Sequence, residues 1–539
     1  MRSPWPSLGR ESIFTNPIDR IRPKVHSRSN TDGLGSKRFL DTRTRHILQQ
    51  TAQYFAAQQR QAYLVGGSLR NMLLGEACND LDIVVAGEAH RLARFLADTL
   101  GGYYARLHDK ASRVIVKAET GDITLDIASL HGQSLEEDLR ARDFTVNALA
   151  APLDEALSLP LIDPLHGEQD LRARRLKAVN DAVFQADPLR MLRAARLITR
   201  YQFSLHAGTR DLIRRDAALL PSVAPERIHD ELYAILEPDG ATAHLRLLDD
   251  LGLFTVLIPE LIPAKGMRQP NPHYWDVFDH SLETVGALEL VARVTVGTRL
   301  IASDTPARLT PNATTAAYLT NIQDVVKEAE TQGIFSLAEL TAPRMKLAAL
   351  LHDIGKPVTY TTAEDGSIRF YTHPQMGAPI ALNIMRRLSA STKDRRLAQL
   401  VGAHHMRPGQ LGQDGEVTPR AIRRYFVDLG PAGITVALFS LADHLATFGP
   451  QPLTDAWERH LSVVSLLLTR YIRERDSILP PRLLSPEELM RRLKLEPGPL
   501  VGQLLEAIAE AQSDGAISSK EEALWLAEER LSTPGNDSK

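Results

Sequence analysis

Strand-like apolar runs are confined to the first third of this chain, and that segregation constrains its fold more than any other feature. Short runs stand at 62–65, 81–85, 113–117 and 123–127, with turn signals such as Gly66-Gly67 between them. Helical patterns at 41–60, 69–75 and 88–100 precede or separate these runs. After residue 170 strand signals nearly vanish, and long helical patterns follow, such as Asp187–Arg200 and Pro225–Leu236. The expected class is α+β, a small mixed sheet with helices followed by all-helical units.

A chain of 539 residues is too long for one core, so three or four units are expected. Residues 1–40 are rich in Ser, Pro, Asn and Gly without an apolar period, and read as a disordered tail. Breaks near Pro263 and Pro270–Pro272 divide the remainder into a mixed unit at 41–170 and helical units at 171–265, 273–450 and 451–539. Residues 296–340, rich in Thr, Ala and Asn, read as an insertion.

No stretch holds 18 consecutive apolar residues and the N-terminus lacks an apolar core, so neither a membrane span nor a secretory signal is expected. Cys78 is the one cysteine, which excludes an intrachain disulfide and suits a reducing cytoplasm. Nothing near it resembles an activating base, so it reads as a structural thiol. The net charge of -3 argues weakly against a nucleic-acid partner, but its distribution argues the other way. Residues 1–50 hold ten Lys/Arg against four acids, and residues 172–215 hold eleven against three. Local patches of this kind govern phosphate binding.

Four segments carry chemistry. In Leu64-Val65-Gly66-Gly67-Ser68-Leu69-Arg70 a strand runs through a Gly-Gly turn into a helix, which brings backbone N–H groups and Arg70 toward a phosphate. In Asp80-Leu81-Asp82 strand alternation sends both carboxylates to one face, a donor pair for Mg²⁺. Asp126, on a later strand, is a third carboxylate for a two-metal site. In Arg142-Asp143-Phe144-Thr145-Val146-Asn147 the arginine suits a triphosphate, and Asp143 and Asn147 would share a helix face. Asp187, Arg190, Arg193 and Arg196 recur in steps of three along one helical ridge. There Asp187 can accept from the exocyclic amine of C or A while Arg190 donates to ring acceptors, which would select a nucleotide without a template.

Together and in this order, the four segments resemble the bacterial class II tRNA nucleotidyltransferase and poly(A) polymerase family. Its GGxVRD, DxD, RRDFTxNA and DPxRxLRxxR motifs match Gly66–Asn71, Asp80–Asp82, Arg142–Ala148 and Asp187–Arg196. Pro225-Glu226-Arg227-Ile228 with Glu231-Leu232, and Leu251-Gly252-Leu253 leading to Pro259-Glu260, extend the likeness to about residue 265. The resemblance implies a polymerase-β-like head at 41–170 and a helical neck for RNA and nucleotide binding at 171–265. Asp80 and Asp82 would be catalytic and hold Mg²⁺, with Asp126, read from its place on the later strand, as the third catalytic carboxylate. Gly67 and Arg70 would contact the triphosphate, and Arg142, Asp187, Arg190, Arg193 and Arg196 would bind ATP or CTP. Beside them, the residues themselves offer Gly66 and Ser68 in the turn, and Asp143 and Asn147 to bind the sugar or fix the site. The chain departs from the family at Asn71, where the motif has an acid, and at Ala141, where it has a second arginine.

A second constellation follows. His280 precedes His352-Asp353-Ile354-Gly355-Lys356, then His373, His404-His405 and Asp443-His444. Imidazoles and carboxylates in this pattern can hold one or two divalent transition metals. The pattern resembles HD-domain phosphohydrolases over about 273–450, with His280, His352, Asp353, His373, His405 and Asp443 as candidate ligands. His404 and His444 read as supporting residues.

The expected function is CMP and AMP addition to the 3′ end of tRNA, building or repairing CCA by a two-metal mechanism. The partners are tRNA or another RNA 3′ end and ATP/CTP, with no membrane; oligomeric state stays open. Poly(A) polymerisation, A-only or CC-only addition, and HD phosphohydrolysis with an inactive head remain as alternatives, beside a non-catalytic RNA-binding role.

Overall fold

The computed structural model describes residues 40–117, 121–156, 160–296, 313–413, 416–451 and 453–532. The tail expected at 1–40 lies almost wholly outside the described residues, as do 297–312 of the expected insertion. The chain divides into two compact units. The first spans Met1–Leu139 with Asn147–Pro164, and the second Arg140–Val146 with Leu165–Lys539.

The first unit is built on a six-stranded sheet ordered β3-β4-β5-β2-β1-β6. The strands are β1 (Ala62–Val65), β2 (Asp80–Val85), β3 (Tyr103–His108), β4 (Ala111–Val116), β5 (Ile123–Ser129) and β6 (Ala150–Pro152). β2 and β5 pair in parallel and the other neighbours antiparallel. Helices α1 (Thr42–Ala57), α2 (Gly66–Leu74) and α3 (Ala89–Leu100) accompany the sheet, and a short helix, Leu135–Arg140, follows β5. α3 buries Ala89, Leu92, Ala93, Leu96 and Ala97, an i, i+3, i+4 stripe that covers one face of the sheet. The Asp41 side chain caps α1 by accepting from the Thr44 amide at 2.6 Å.

Sequence reading located β1, β2, β4 and β5 but not β3 and β6. β3 lies at the sheet edge with five of its six residues exposed, none buried, and no apolar alternation. β6 is three residues of Ala-Ala-Pro, too short for a periodic signal.

Among the described residues, the regular structure of the second unit is helical apart from two two-residue strand pairs, Arg175–Leu176 with Ser204–Leu205 and Thr361–Thr362 with Ile368–Arg369, and an isolated bridge between Phe144 and Ala178. Helix Arg190–Tyr201 packs on Pro225–Leu236, and the core helix Val277–Thr295 packs on Pro343–Leu351 and Ala432–Phe448. Helix Ala313–Thr331 lies along Asp455–Arg473, tied by Asn321 Nδ2 to Ser465 Oγ and Thr469 Oγ1 at 2.8 Å each. At the C-terminal end, helices Pro486–Leu493, Pro499–Ser513 and Lys520–Ser532 share a small core of Leu489, Leu504, Ile508 and Ala523. No single described helix is long and apolar enough to cross a membrane.

A fully buried ion pair anchors the second unit. Lys346 Nζ lies 2.8 Å from Glu289 Oε1 and donates to the carbonyls of Leu236 (2.7 Å) and Pro238 (3.0 Å). Glu289 also accepts from the amides of Gly240 and Ala241, the unpaired donors at the start of helix Ala241–Asp250. Every donor and acceptor of the pair is used, the condition under which a buried charge is tolerated.

Candidate functional site

In the first unit β1 enters α2 through Gly66, whose φ of +69° lies in the left-handed region that glycine adopts without steric cost. This turn carries the Ser68 amide to Asp82 Oδ2 at 3.2 Å, and Ser68 Oγ accepts from the Asp82 amide at 3.1 Å while donating to the Val65 carbonyl at 2.8 Å. A Cβ on Gly67 would come within 3.4 Å of Asp82 Oδ2. Ser68 itself is 2% exposed, so its polar groups serve the placement of Asp82.

On β2 the alternation holds: Leu81 and Ile83 are buried, while Asp80 is exposed and Asp82 half-buried. Asp126 stands opposite Asp82 in register on β5. Both of its oxygens accept from Arg113 of β4, at 2.7 and 2.8 Å. Arg70 is buried, and its guanidinium donates to Asn147 Oδ1 at 2.5 Å and to Asn71 Oδ1 at 2.9 and 3.2 Å. The Asn71 amide oxygen thus gives Arg70 a neutral acceptor where the family motif has a charged one. Cys78 is buried, and burial followed by the charges of Asp82 and Asp80 pushes its thiol up to about 12. It donates to the Asp80 carbonyl at 3.1 Å, as a structural thiol would.

The oxygen donors Asp80 and Asp82, on one face at the start of a strand, fit a hard divalent ion.

The second unit holds Arg142, Asp143, Asp187, Arg190, Arg193 and Arg196. The helix expected to align Asp143 with Asn147 does not form. Residues 141–144 bend, Thr145–Asn147 is one 3₁₀ turn, and Asp143 and Asn147 belong to different units. The cause is sideways pairing. Phe144 bridges to Ala178, the Thr145 amide donates to Lys177 O at 2.9 Å, and the Val179 amide donates to Asp143 O at 3.2 Å. These bonds take the groups that a helix would use.

Asp187 precedes its helix, which starts at Arg190. Its Oδ1 accepts from the Leu189 amide at 3.2 Å and its Oδ2 from Arg227 at 3.0 Å. Arg190 donates to Ala141 O at 2.9 Å and to Arg142 O at 3.4 Å. Arg193 lies 3.3 Å from Asp143, and Arg196 lies 2.7 Å from Glu231. Burial lifts the Glu231 carboxyl despite Arg196 and Arg193. The ridge therefore exists, with protein partners at each guanidinium. Much of the basic segment 172–215 is also paired locally, Arg172 with Glu168, Arg175 with Asp170, and Arg210 and Arg214 with Asp250. Charge counting along the segment misses this, because all three of these acids lie outside it.

The histidine cluster assembles in the same unit. His280 comes from helix Val277–Thr295, His352 and Asp353 follow helix Pro343–Leu351, and His373 opens helix His373–Arg387. His405 follows helix Thr392–His404, and Asp443 lies in Ala432–Phe448. Gly355 permits the close approach, since a Cβ there would sit 2.2 Å from the His373 carbonyl.

The two oxygens of Asp353 face two imidazole pairs. Oδ2 lies 3.1 Å from His352 Nε2 and 3.4 Å from His280 Nε2, and Oδ1 lies 3.2 Å from His373 Nε2 and 3.6 Å from His405 Nε2. Asp443 Oδ1 completes the first set, 2.9 Å from His280 and 3.4 Å from His352. His352, His373 and His405 each direct Nδ1 at a backbone carbonyl, of Ala349 (2.7 Å), Phe370 (2.9 Å) and Gly402 (2.9 Å). That bond keeps the proton on Nδ1 and leaves Nε2 as the ligand atom.

The groups His280–His352–Asp353, His352–His405–Asp443 and Asp353–His373–His405 each bring their ligand atoms within 4.8 Å. Burial pushes the imidazoles of His280 and His405 down, His405 to about 4. Burial also opposes the charge on His352, but Asp353 and Asp443 override it and lift that ring to about 10. Asp353 is 1% exposed, and neither of its oxygens nor His352 Nε2 has a hydrogen bond of good geometry. The charge of Asp353 is balanced by Lys356 and the neighbouring imidazoles, while its lone pairs are not taken up by well-directed hydrogen bonds and can serve an ion. The donor set therefore fits one or two divalent ions.

A pocket of about 460 Å³ opens on this cluster, lined also by Lys356, His273, Arg369, His444 and His460. Lys356 Nζ reaches Asp353 Oδ2 at 2.5 Å and Gln269 Oε1 at 2.7 Å. Sequence reading did not single out Arg113, Arg227, Lys356 or His273. Lys356 stands in the same His-Asp segment, whereas Arg113 is legible only once β4 and β5 are in register.

Three family models match: a poly(A) polymerase head domain over residues 62–177, a probable RNA and SrmB-binding site of polymerase A over 202–265, and an HD domain over 314–447. The A-adding tRNA nucleotidyltransferase of Deinococcus radiodurans is 34% identical over 86% of this chain and 94% of its own length. The CC-adding tRNA nucleotidyltransferase of Thermus thermophilus is 33% identical over 86% of this chain and 92% of its own. In fold, the chain is similar to the Thermotoga maritima CCA-adding enzyme complexed with tRNA, with a TM-score of 0.55 at 20% identity, covering 92% of this chain and 98% of that one. It is also similar to a CCA-adding enzyme in complex with CTP, with a TM-score of 0.59 at 19% identity, covering 93% and 98%.

Proposed function

The chain belongs to the bacterial tRNA nucleotidyltransferase and poly(A) polymerase family, and from that premise we propose that it adds CMP and AMP to the 3′ end of tRNA, building or repairing CCA. The observation that carries the reading is Asp80 and Asp82 on one face of β2, with the Asp82 carboxylate held by the Ser68 amide. In the reaction the RNA 3′-hydroxyl attacks the α-phosphate of CTP or ATP, and pyrophosphate leaves. Mg²⁺ held by Asp80 and Asp82 would supply charge neutralisation at the phosphates. The chain's own part is positioning. Arg142, Arg193 and Arg196 bind the nucleotide, Asp187 and Arg190 read its base edge, and Gly66, Gly67 and Arg70 shape the phosphate turn. The two carbonyls take two of the five donors of Arg190, which leaves the others for a base edge.

We assign residues 41–170 to the head, 171–265 to the neck, 273–450 to the HD domain and 451–539 to the helical tail. In the HD centre His280, His352, Asp353 and Asp443 would hold one ion, and Asp353, His373 and His405 a second. Bound divalent ions there would supply Lewis-acid chemistry for phosphoester hydrolysis. The reading is of a cytoplasmic enzyme, in keeping with one buried reduced thiol.

A narrower reading, addition of A alone or of CC alone, is favoured by one observation. The relatives matched over more than nine-tenths of their length include A-adding and CC-adding enzymes, whereas the multifunctional CCA proteins are matched over about three-quarters. Incubating tRNA transcripts ending before CCA, after C and after CC with labelled CTP, ATP or both tests this. Full CCA from the first transcript supports the first reading, and addition of A or CC alone supports the second. No incorporation on any transcript overturns both.

A further inference from the structure

Arg113 on β4, Asp126 on β5 and Asp82 on β2 stand in register across three adjacent strands. Their side chains therefore form one row on one face of the sheet, at strand spacings of about 4.8 Å. Arg113 fills both oxygens of Asp126, with Nε to Oδ1 at 2.7 Å and Nη2 to Oδ2 at 2.8 Å. This two-point fork is the strong form of the guanidinium–carboxylate contact. Asp126 has 30% of its side chain exposed and Arg113 41%, so solvent screens the pair only in part. Asp126 foremost, then Asp80 and Asp82, stabilise the positive charge on Arg113. One fixed cation thus lies in the field of three carboxylates.

We propose that Arg113 is a positioning residue of the head, a resident cation that occupies Asp126 in the absence of a divalent ion and competes with that ion for it. The inference rests on the reading of Asp80 and Asp82 as metal carboxylates. A guanidinium does not deprotonate, so it cannot vacate the site by losing its charge. For Asp126 to offer an ion the edge that Arg113 fills, at least one arm of the fork must open. Arg113 holds three neighbouring acids together when no ion is bound, and in doing so weakens the binding of the ion.

The test is Mn²⁺ titration of the full-length protein without nucleotide or RNA, with free Mn²⁺ read by EPR. An Asp80→Ala/Asp82→Ala protein serves as the blank for ions bound elsewhere. Arg113→Gln is expected to bind the head Mn²⁺ about tenfold more tightly than the parent, and the gain is expected to vanish in Arg113→Gln/Asp126→Asn. Arg113→Lys, which keeps the charge but loses the fork, is expected to show a smaller gain and serves if the glutamine variant does not fold. Affinity in these variants equal to or weaker than the parent overturns the inference. If the blank binds as much Mn²⁺ as the parent, the reading of Asp80 and Asp82 fails instead.

Discussion

Ser68 and Asp82 hydrogen-bond to each other twice, the amide of each donating to the side chain of the other at 3.2 and 3.1 Å. The serine hydroxyl also reaches back to the strand before it. Ser68→Ala removes two buried bonds and leaves the Asp82 amide without its acceptor. The expected result is a stability loss of about 1–2 kcal/mol and a roughly tenfold rise in the Mg²⁺ needed for half-maximal incorporation. An unchanged Mg²⁺ requirement in a folded Ser68→Ala protein would separate the serine from the carboxylate site.

The Lys346–Glu289 pair has no solvent to fall back on. Lys346→Ala leaves a buried carboxylate, and is expected to cost about 3–5 kcal/mol in chemical denaturation. The double variant Lys346→Met/Glu289→Leu is expected to recover part of that loss, short of the parent because the Gly240 and Ala241 amides lose their acceptor. A single variant as stable as the parent would show that the pair is not structural.

Burial pushes His460 down to about 4, with Ser440 Oγ on its Nε2 at 3.0 Å and the neutral His444 ring stacked on it. The folded state therefore binds this proton more weakly than the unfolded chain does. The stability contributed is fully present above pH 6.5 and is lost as pH falls toward 4, by at most about 3 kcal/mol. Denaturant midpoints between pH 7.5 and 4.5 should decline in the parent and decline less steeply in His460→Gln. Parallel slopes would remove His460 as a cause.

Asp353 stands between both imidazole pairs, so its loss should affect both metal positions. Asp353→Ala is expected to abolish transition-metal retention in dialysed protein measured by inductively coupled plasma mass spectrometry. Chelation of the parent should lower its Tm, because bound metal stabilises the folded chain by mass action. Metal content in Asp353→Ala equal to the parent's would locate the metal elsewhere.

Much of this was legible in the sequence, for identifiable reasons. Asp80 and Asp82 lie two apart on a strand, so alternation alone puts them on one face. The His352-Asp353 pair is adjacent, and its partners stand out as polar residues in apolar helices. The 142–147 segment misled because so short a stretch can pair sideways, as Phe144 does with Ala178, and period reading assumes local bonds. Arg113 and Glu231 were illegible as partners because their contacts depend on register and on helix packing, which no local spacing encodes.

The most direct measurement is labelled AMP and CMP incorporation into tRNA by the Asp80→Ala/Asp82→Ala protein, beside metal-dependent hydrolysis of bis(p-nitrophenyl) phosphate by the same sample. The account predicts that incorporation falls by at least about 10³-fold while hydrolysis matches the parent's. Incorporation that survives the double substitution would contradict the assignment of these two carboxylates.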